Sequence, residues 1–499
     1  MEKPRRSWLR RILTYLCWTV GVLVVVYLVL LFRFITGQPI PKTNYTAQLN
    51  APSEAASEDA IAWPIYRKAL LGLDLFAATA DAKSGDLLDA QPQGEKWDDL
   101  VAWLGAHEND LTLLREGSRK PLLGFLYGPG GDAYDWQVFP NTRANTDSDP
   151  NPPLVSVLLP EINLLRTAGR ALAADARLAR DRGDVPRAIE DIQTILGITK
   201  QLRGRFIVAD MVALTMAASA MNEVESILLD SRHRASEDDL RSLTEAIRLP
   251  DRAEQIICYD NERHFFDDLT QRMYTDDGNG DGHLTLQGMR FAAEFAAPSG
   301  PGGPPEGRII LQGILAPIFA ASRRETVVEY TRHFDIADAN LRKPFTETDW
   351  GTYDGPIQQS NQSLLWNLKF PWLAHVVPSL LRTRAAAEAH LARRDALLIG
   401  IALERFRRGS GQYPAALDEL VPAQLSAIAG DRLTKQPLKY KLIDGLPVIY
   451  SVGPDGDDDG GRAKDGAGKA VSVQDFIRIE SRGPVIDGDF ILYPQPRDP

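Results

Sequence analysis

Residues 171–192 read ALAADARLARDRGDVPRAIEDI, two helical runs that are separated by Gly183 and Asp184. Glycine ends a helix readily, and Pro186 falls in the first turn of the next run, where its missing N–H is not needed. Beyond the break, apolar residues recur at spacings of three and four, as a single buried helix face requires. These residues are Val185, Ala188, Ile189, Ile192, Ile195 and Leu196.

The pattern predicts a pair of antiparallel helices, and it resembles one tetratricopeptide-type hairpin. No clean second copy follows at a fixed period, so we expect an irregular helical domain rather than a repeat array. Similar Ala- and Leu-rich patterning extends from Leu164 to Leu229.

The predicted fold class is mainly α, with an N-terminal transmembrane helix and a small C-terminal α+β module that contains a short antiparallel sheet. A chain of 499 residues is long enough for two or three domains. Two stretches rich in Pro, Gly or Asn, 141–153 and 297–307, are expected to be loops. The predicted parts are a basic tip with the transmembrane helix (1–36), a linker (37–58), a helical domain (59–250), a helical extension with an Asp/Gly loop at 276–285 (251–378), and the C-terminal module (379–499).

The N-terminal region contains an apolar run of 21 uncharged residues from Ile12 to Phe32. A helix of this length spans roughly 30 Å, which matches the hydrocarbon core of a bilayer. The run is too long for a typical signal peptide and lacks a nearby small-x-small cleavage site. Arg5-Arg6 loosely resembles a twin-arginine export signal, which leaves export as an alternative to a retained anchor. We expect the bilayer to be a partner through residues 12–32.

The charges on either side of this run predict its orientation. Positive residues accumulate on the cytoplasmic side of membrane helices. The sequence therefore predicts a single-pass protein of the inner membrane, with its N-terminus in the cytoplasm and its bulk in the periplasm. The basic residues are Lys3, Arg5, Arg6, Arg10 and Arg11 before the run, against Arg33 and Lys42 after it.

The overall composition excludes several classes of function. The chain has 56 basic and 67 acidic residues and a net charge of -11, which argues against nucleic acid as a partner. Its cysteines, Cys17 and Cys258, cannot build a disulfide framework or a cysteine-based zinc site. The sequence also lacks the phosphate-binding, zinc-protease, serine-hydrolase and dinucleotide motifs.

The first of two Asp/Gly-rich loops reads TDDGNGDGHLT, residues 275–285. Its alternating oxygen-bearing residues followed by glycine match the start of an EF-hand calcium loop. The twelfth position, which should be a bidentate Glu, is Gly288, so a complete EF-hand is excluded. A distant carboxylate such as Glu294 could complete a calcium site, and a solvated turn is the alternative. The candidate ligands are Asp277, Asn279, Asp281 and, through its carbonyl group, His283.

The second loop lies in YSVGPDGDDDGG, residues 450–461, directly after a strand-like run. Asp455, Asp457 and Asp459 show the same alternation, and the twelfth position is again glycine, Gly466. The sequence therefore predicts either a calcium site that is completed by a later carboxylate, such as Asp475, or a solvated turn.

Three stretches of the C-terminal region stand in a fixed order: ALERFRRGSGQYPAALDELVP (402–422), QPLKYKL (436–442) and VIYSVGPDGDDDGG (448–461). In these stretches the region resembles the C-terminal part of the major pseudopilins of type II secretion systems. The resemblance implies a long helix, a Gly-x-Tyr-Pro turn, a short helix and a small antiparallel sheet that ends in a calcium loop. It implies that Asp455, Asp459 and Asp475 are calcium ligands and that Ser451 is an additional ligand.

The N-terminal helix departs from the pseudopilin pattern, because it has neither the processed Gly nor the Glu that follows it in that family. The family also has an Asp-Pro motif, and its proline is missing here, where the sequence reads Asp431-Arg432. We therefore expect a pilin-like head that serves as a folded module, not a polymerising pilin.

The whole arrangement resembles single-pass bacterial envelope proteins with a helical domain, a resemblance that implies architecture without an activity. We expect a non-enzymatic structural or interaction protein of the envelope, with calcium loops and protein partners. One alternative is an accessory of a type II secretion or pilus-like assembly. Another is an enzyme with an unrecognised site in the helical domain, which would show a pocket of converging titratable groups with perturbed pKa values.

Overall fold

The computed structural model describes most of the chain, and in these parts the protein is mainly helical with a small antiparallel sheet near the C-terminus, as predicted. The described residues are 5–73, 87–128, 138, 151–156, 159–296, 306–348, 363–373, 380–463, 470–472, 475–476 and 487–495.

The N-terminal helix α1 (Arg5–Thr36) is a candidate membrane span. Its apolar part, Arg10–Thr36, has none of its most apolar window buried inside the protein. A second helix, α8 (Ile207–Leu229), also has the length and composition of a span, but 61% of its window is buried. We therefore interpret α8 as a core helix of the helical domain.

Residues 37–58 are not the loose linker that their composition predicts. They contain helix α2 (Tyr45–Glu54), which packs against the body of the protein. The buried Asn50 side chain donates to the carbonyl of Tyr127 and accepts its N–H, both at 2.8 Å. The backbone N–H groups of Lys42 and Thr43 both donate to the side chain of Gln271. Composition could not reveal these partners, because they lie about 80 and 230 residues further along the chain.

The predicted helical hairpin is present as α6 (Pro160–Asp181) and α7 (Val185–Leu202). Gly183 adopts a φ of 79°, and the Asp184 side chain accepts the N–H of Arg187 and so begins α7. The expected apolar face of α7 is buried, with Leu196 half-buried at its margin. The other helices of this domain are α3 (Trp63–Gly72), α4 (Trp97–Ala106), α5 (Glu108–Ser118) and α9 (Glu237–Ile247).

The next region has its own core, centred on the ring of Phe266, which contacts the rings of Tyr330, Phe334 and Trp372. The predicted loops at 141–153 and 297–307 lie largely outside the described residues, although positions 306 and 307 already belong to a helix. The helices of this region are α10 (Asp260–Met273), α11 (Leu286–Ala296), α12 (Glu306–Phe319), α13 (Arg323–Leu341) and α14 (Leu364–Lys369).

The C-terminal region begins with the long helix α15 (Leu380–Ser410), which ends at Gly411, where φ is 84°. A 3-10 turn (Leu417–Leu420) leads to strands β1 (Lys439–Ile443), β2 (Leu446–Ser451) and β3 (Phe490–Tyr493), in the antiparallel order β1-β2-β3.

Helix α15 joins the two cores. Leu397 packs into the core of the helical domain together with the sheet residue Leu492, whereas Leu391 packs into the Phe266 core. Residues 379–499 therefore share their buried surfaces with both preceding regions.

Candidate functional site

The loop after β2 and the turn before β3 are held close together by backbone contacts. A Cβ atom at Gly453, where φ is 78°, would collide with the carbonyl oxygen of Gly488. The carboxylate of Asp455 accepts the N–H of Gly488 at 3.1 Å. Asp489 is fully buried and accepts the N–H groups of Gly461 at 2.7 Å and Arg462 at 3.2 Å. These contacts fix the spacing of the aspartates that project from the two segments.

Four carboxylates converge at this junction. One oxygen from each of Asp455, Asp457, Asp459 and Asp487 can be chosen so that all four lie within 4.8 Å of one another. Two oxygens bound to one calcium ion at about 2.4 Å lie at most about 4.8 Å apart, so this spacing suits a single ion. The sequence identified the first three residues, and the fourth comes from the turn before β3.

Two observations describe the charge of this carboxylate cluster. Oxygen Oδ2 of Asp459 is buried and has no hydrogen-bond partner among the described residues. Desolvation raises the pKa of Asp455, and repulsion from Asp457 and Asp459 adds to this effect. Among the residues that the structure describes, Arg462 forms ion pairs with this cluster: it contacts Asp459 and lies 3.6 Å from Asp487. Within the described part of the chain, four acids thus face the guanidinium group of Arg462, an arrangement that a divalent cation would stabilise.

Asp475, which was predicted as a ligand of this site, is not one of the four converging residues. Its side chain is buried and accepts the N–H of Ser472 at 2.9 Å and the hydroxyl of the same residue at 2.7 Å. Ser451 is fully buried at the end of β2, and its hydroxyl has no partner among the described residues.

In the loop at 276–285, the predicted ligands form hydrogen bonds with protein groups. Oδ1 of Asp277 accepts the N–H groups of Asn279 and Asp281 at 2.8 and 3.0 Å. The carbonyl of His283, which was predicted to point toward a cation, accepts the N–H of Thr275 at 3.0 Å. The distant candidate Glu294 lies among side chains outside the described residues.

The same loop contacts the end of α1 and the start of α13. Nε2 of His283 lies 3.0 Å from the carbonyl oxygen of Arg33, and Nδ1 of His283 lies 3.3 Å from the guanidinium group of the same arginine. Oδ1 of Asp281 accepts the N–H of Arg324 at 3.0 Å, and Asp276 forms an ion pair with Lys42 at 2.7 Å. These contacts favour a structural role for the loop, which fastens α1 to the body.

A second cluster of titratable groups lies inside the helical domain and was not anticipated. Arg115 on α5 donates to Asp175 on α6 at 2.5 Å and to Asp191 on α7 at 2.8 Å. Arg187 donates to Asp175 at 2.9 Å and also contacts Glu108. The sequence held one signal, since both aspartates occupy positions within apolar helical runs.

The protonation of this network follows from its burial. Burial, together with the charge of Asp175, raises the pKa of Asp191 well above its ordinary value, against the opposing effect of Arg115. The side chains of Asp175 and Asp191 are only 1% and 0% exposed, so a substrate could not reach them in this conformation. This network fits the structural joining of three helices better than it fits catalysis.

Comparisons of the chain with protein-family models, with curated proteins and with solved structures give no match.

Proposed function

We propose that this protein is a single-pass protein of the bacterial inner membrane whose periplasmic body serves a structural or interaction role in the envelope. The apolar helix α1 and the excess of basic residues before it support this placement. Fastening of α1 to the loop at 276–285 favours a retained anchor over a cleaved signal, because the body packs on the end of that helix.

The observation that carries the functional proposal is the convergence of Asp455, Asp457, Asp459 and Asp487. We propose that these residues bind calcium. Ca²⁺ takes six to eight oxygen ligands, so backbone carbonyls and water would complete a set of which the carboxylates supply about four. The buried Oδ2 of Asp459, which has no hydrogen-bond partner among the described residues, and the raised pKa of Asp455 both fit a site with an excess of negative charge.

Calcium at this position would tie the loop after β2 to the turn before β3. Both segments adjoin paired strands, so the ion would stabilise this end of the sheet by neutralising carboxylates that otherwise repel one another. The chemistry that the ion supplies is charge neutralisation and cross-linking. Its affinity should rise with pH, because the pKa of Asp455 is raised and its proton must leave before it binds a cation.

The position of α15 supports a folded module rather than a polymerising pilin. This helix packs against α8, α9 and α13 within its own chain. A surface that is already covered in this way is not available for packing between copies.

Membrane placement is tested by labelling a single thiol in cells with a permeabilised outer membrane. Cys17→Ala and Cys258→Ala remove the native thiols, and Leu446→Cys places one at the start of β2, where the leucine is 51% exposed. We expect an impermeant maleimide to label Leu446→Cys without lysis, and the protein to resist alkaline extraction. Labelling only after lysis would place the body in the cytoplasm and refute the proposed orientation.

A further inference from the structure

The region next to the anchor helix exposes an unusual number of large apolar side chains. On α12, Ile314, Ile318 and Phe319 are 50%, 51% and 43% exposed. On α14, Leu364 and Leu365 are 75% and 70% exposed. Single exposed apolar residues are ordinary, but several on adjoining helices indicate a surface that is covered by something apolar.

These helices adjoin the part of α1 that is expected to lie in the bilayer. The hydroxyl of Tyr27 donates to the carbonyl of Ile314 at 3.3 Å. The burial of α1 begins at this tyrosine and follows one helix face through Leu30, Leu31 and Phe34. Helix α12 packs on this part of α1, and α14 packs in turn on α12. The helices that carry the exposed apolar side chains therefore adjoin the membrane-spanning part of α1, α12 directly and α14 through α12.

The depth of α12 follows from the helical rise. Arg33, the first charged residue after the apolar run, follows Tyr27 by six positions, which correspond to about 9 Å along the axis of α1. With Arg33 at the level of the headgroups, Ile314 lies at the level of the outer acyl chains. Interfacial helices bury their apolar faces to about 5–10 Å, which is the same depth.

We propose that α12 and the start of α14 form a second membrane contact, a shoulder that inserts beside α1 into the periplasmic leaflet. The lipid acyl chains cover Ile314, Ile318, Phe319, Leu364 and Leu365. This inference rests on the proposed placement of α1 in the bilayer. It extends the membrane contact beyond residues 12–32 and fixes the body at the membrane surface instead of leaving it free on a stalk.

The test uses the full chain without its native thiols, reconstituted in lipid nanodiscs. A polarity-sensitive fluorophore is attached at Ile318→Cys or Leu365→Cys, and quenching by lipids with a spin label on the acyl chain is measured. Leu446→Cys is the matched control, because that leucine is as exposed as Ile318 but lies on the sheet. Leu23→Cys, in the middle of α1, reports whether the anchor itself is in the bilayer.

We expect quenching at Leu23→Cys, Ile318→Cys and Leu365→Cys, with about half or more of the emission lost, and no quenching at Leu446→Cys. Quenching at Leu23→Cys without quenching at the two shoulder positions would overturn the shoulder and leave the anchor in place. Emission at Ile318→Cys that is shifted to the blue but not quenched would show a protein cover and would also overturn it. If Leu23→Cys itself escaped quenching, the anchor would fail, and the shoulder with it.

Discussion

Replacement of Asp175 by asparagine is expected to lower the free energy of unfolding by about 2–4 kcal/mol, whereas the same change at Asp191 should cost less than about 1 kcal/mol. The two residues are equally buried, so burial alone would predict equal losses. The difference follows from their partners. Asp175 accepts hydrogen bonds from two guanidinium groups, those of Arg115 and Arg187, and asparagine removes the charge that they share.

Asp191 differs because burial and the charge of Asp175 raise its pKa, which favours its neutral form, and an amide resembles that neutral form. The estimate for Asp175 starts from about 3–5 kcal/mol for breaking a buried ion pair. The expected loss is lower than this value, because Asp191 can ionise once the charge of Asp175 is removed. Its negative charge then partly replaces that of Asp175 beside the two arginines.

The assay is urea unfolding of the full chain in detergent, followed by far-UV circular dichroism. The pH dependence provides a second readout with a definite sign. The folded chain holds a proton on Asp191 that the unfolded chain releases above its ordinary pKa. The contribution of Asp191 to stability is therefore full below its unfolded pKa and is lost as the pH rises through its folded pKa, and Asp191→Asn should remove this contribution to the pH dependence. An equal or larger loss in Asp191→Asn than in Asp175→Asn would refute the assigned protonation.

Three further predictions concern buried groups elsewhere. Burial raises the pKa of Asp210 to about 7, so through this group the folded chain is expected to lose about 1.4 kcal/mol of stability for each unit that the pH rises between about 4 and 7. In urea titrations Asp210→Asn should remove this slope, and an unchanged slope would contradict the prediction. Burial lowers the pKa of His390 to about 3, so its contribution should make stability fall as the pH drops below about 6.5. His390→Leu should therefore reduce the fall of the urea midpoint in acid, and an equally steep fall would contradict the prediction. Asn50→Ala removes the two hydrogen bonds between Asn50 and the buried backbone of Tyr127, so it should lower the free energy of unfolding by about 2–4 kcal/mol and speed proteolysis within residues 37–58. Gln48→Ala, at an exposed position of the same helix, is the control. Cleavage of Asn50→Ala no faster than that of the control would show that α2 is not held by this contact.

Local chemistry made part of the fold predictable. The hairpin of α6 and α7 follows from the Gly183 break, the Asp184 cap and the apolar face of α7, all within a few residues of one another. The end of α15 at Gly411 is predictable for the same reason. Both features depend on short-range rules of helix ends and helix periodicity, which a single sequence expresses well.

Features that depend on distant contacts could not be predicted in the same way. Asp487 joins the carboxylate cluster because β3 pairs with β2, which brings its preceding turn to a loop about 30 residues earlier. Nothing in the spacing favoured it over Asp475, which instead bonds to Ser472. Likewise, the alternating pattern at 277–283 is that of a calcium loop, yet the contacts of Asp281 with Arg324 and of His283 with Arg33 belong to tertiary packing.

The measurement to make is a calcium titration of the full chain in nanodiscs, by thermal unfolding with and without chelator. The cluster variant carries Asp457→Asn and Asp487→Asn, and the matched control carries Asp277→Asn and Asp281→Asn in the other loop. Calcium that binds only the folded state at about 100 times its Kd stabilises it by about 2.7 kcal/mol.

The proposal predicts a rise in Tm that survives in the control and in Asp475→Asn but is lost in the cluster variant. No rise at millimolar calcium, or a rise that is lost in the control and kept in the cluster variant, would contradict a calcium site at Asp455, Asp457, Asp459 and Asp487.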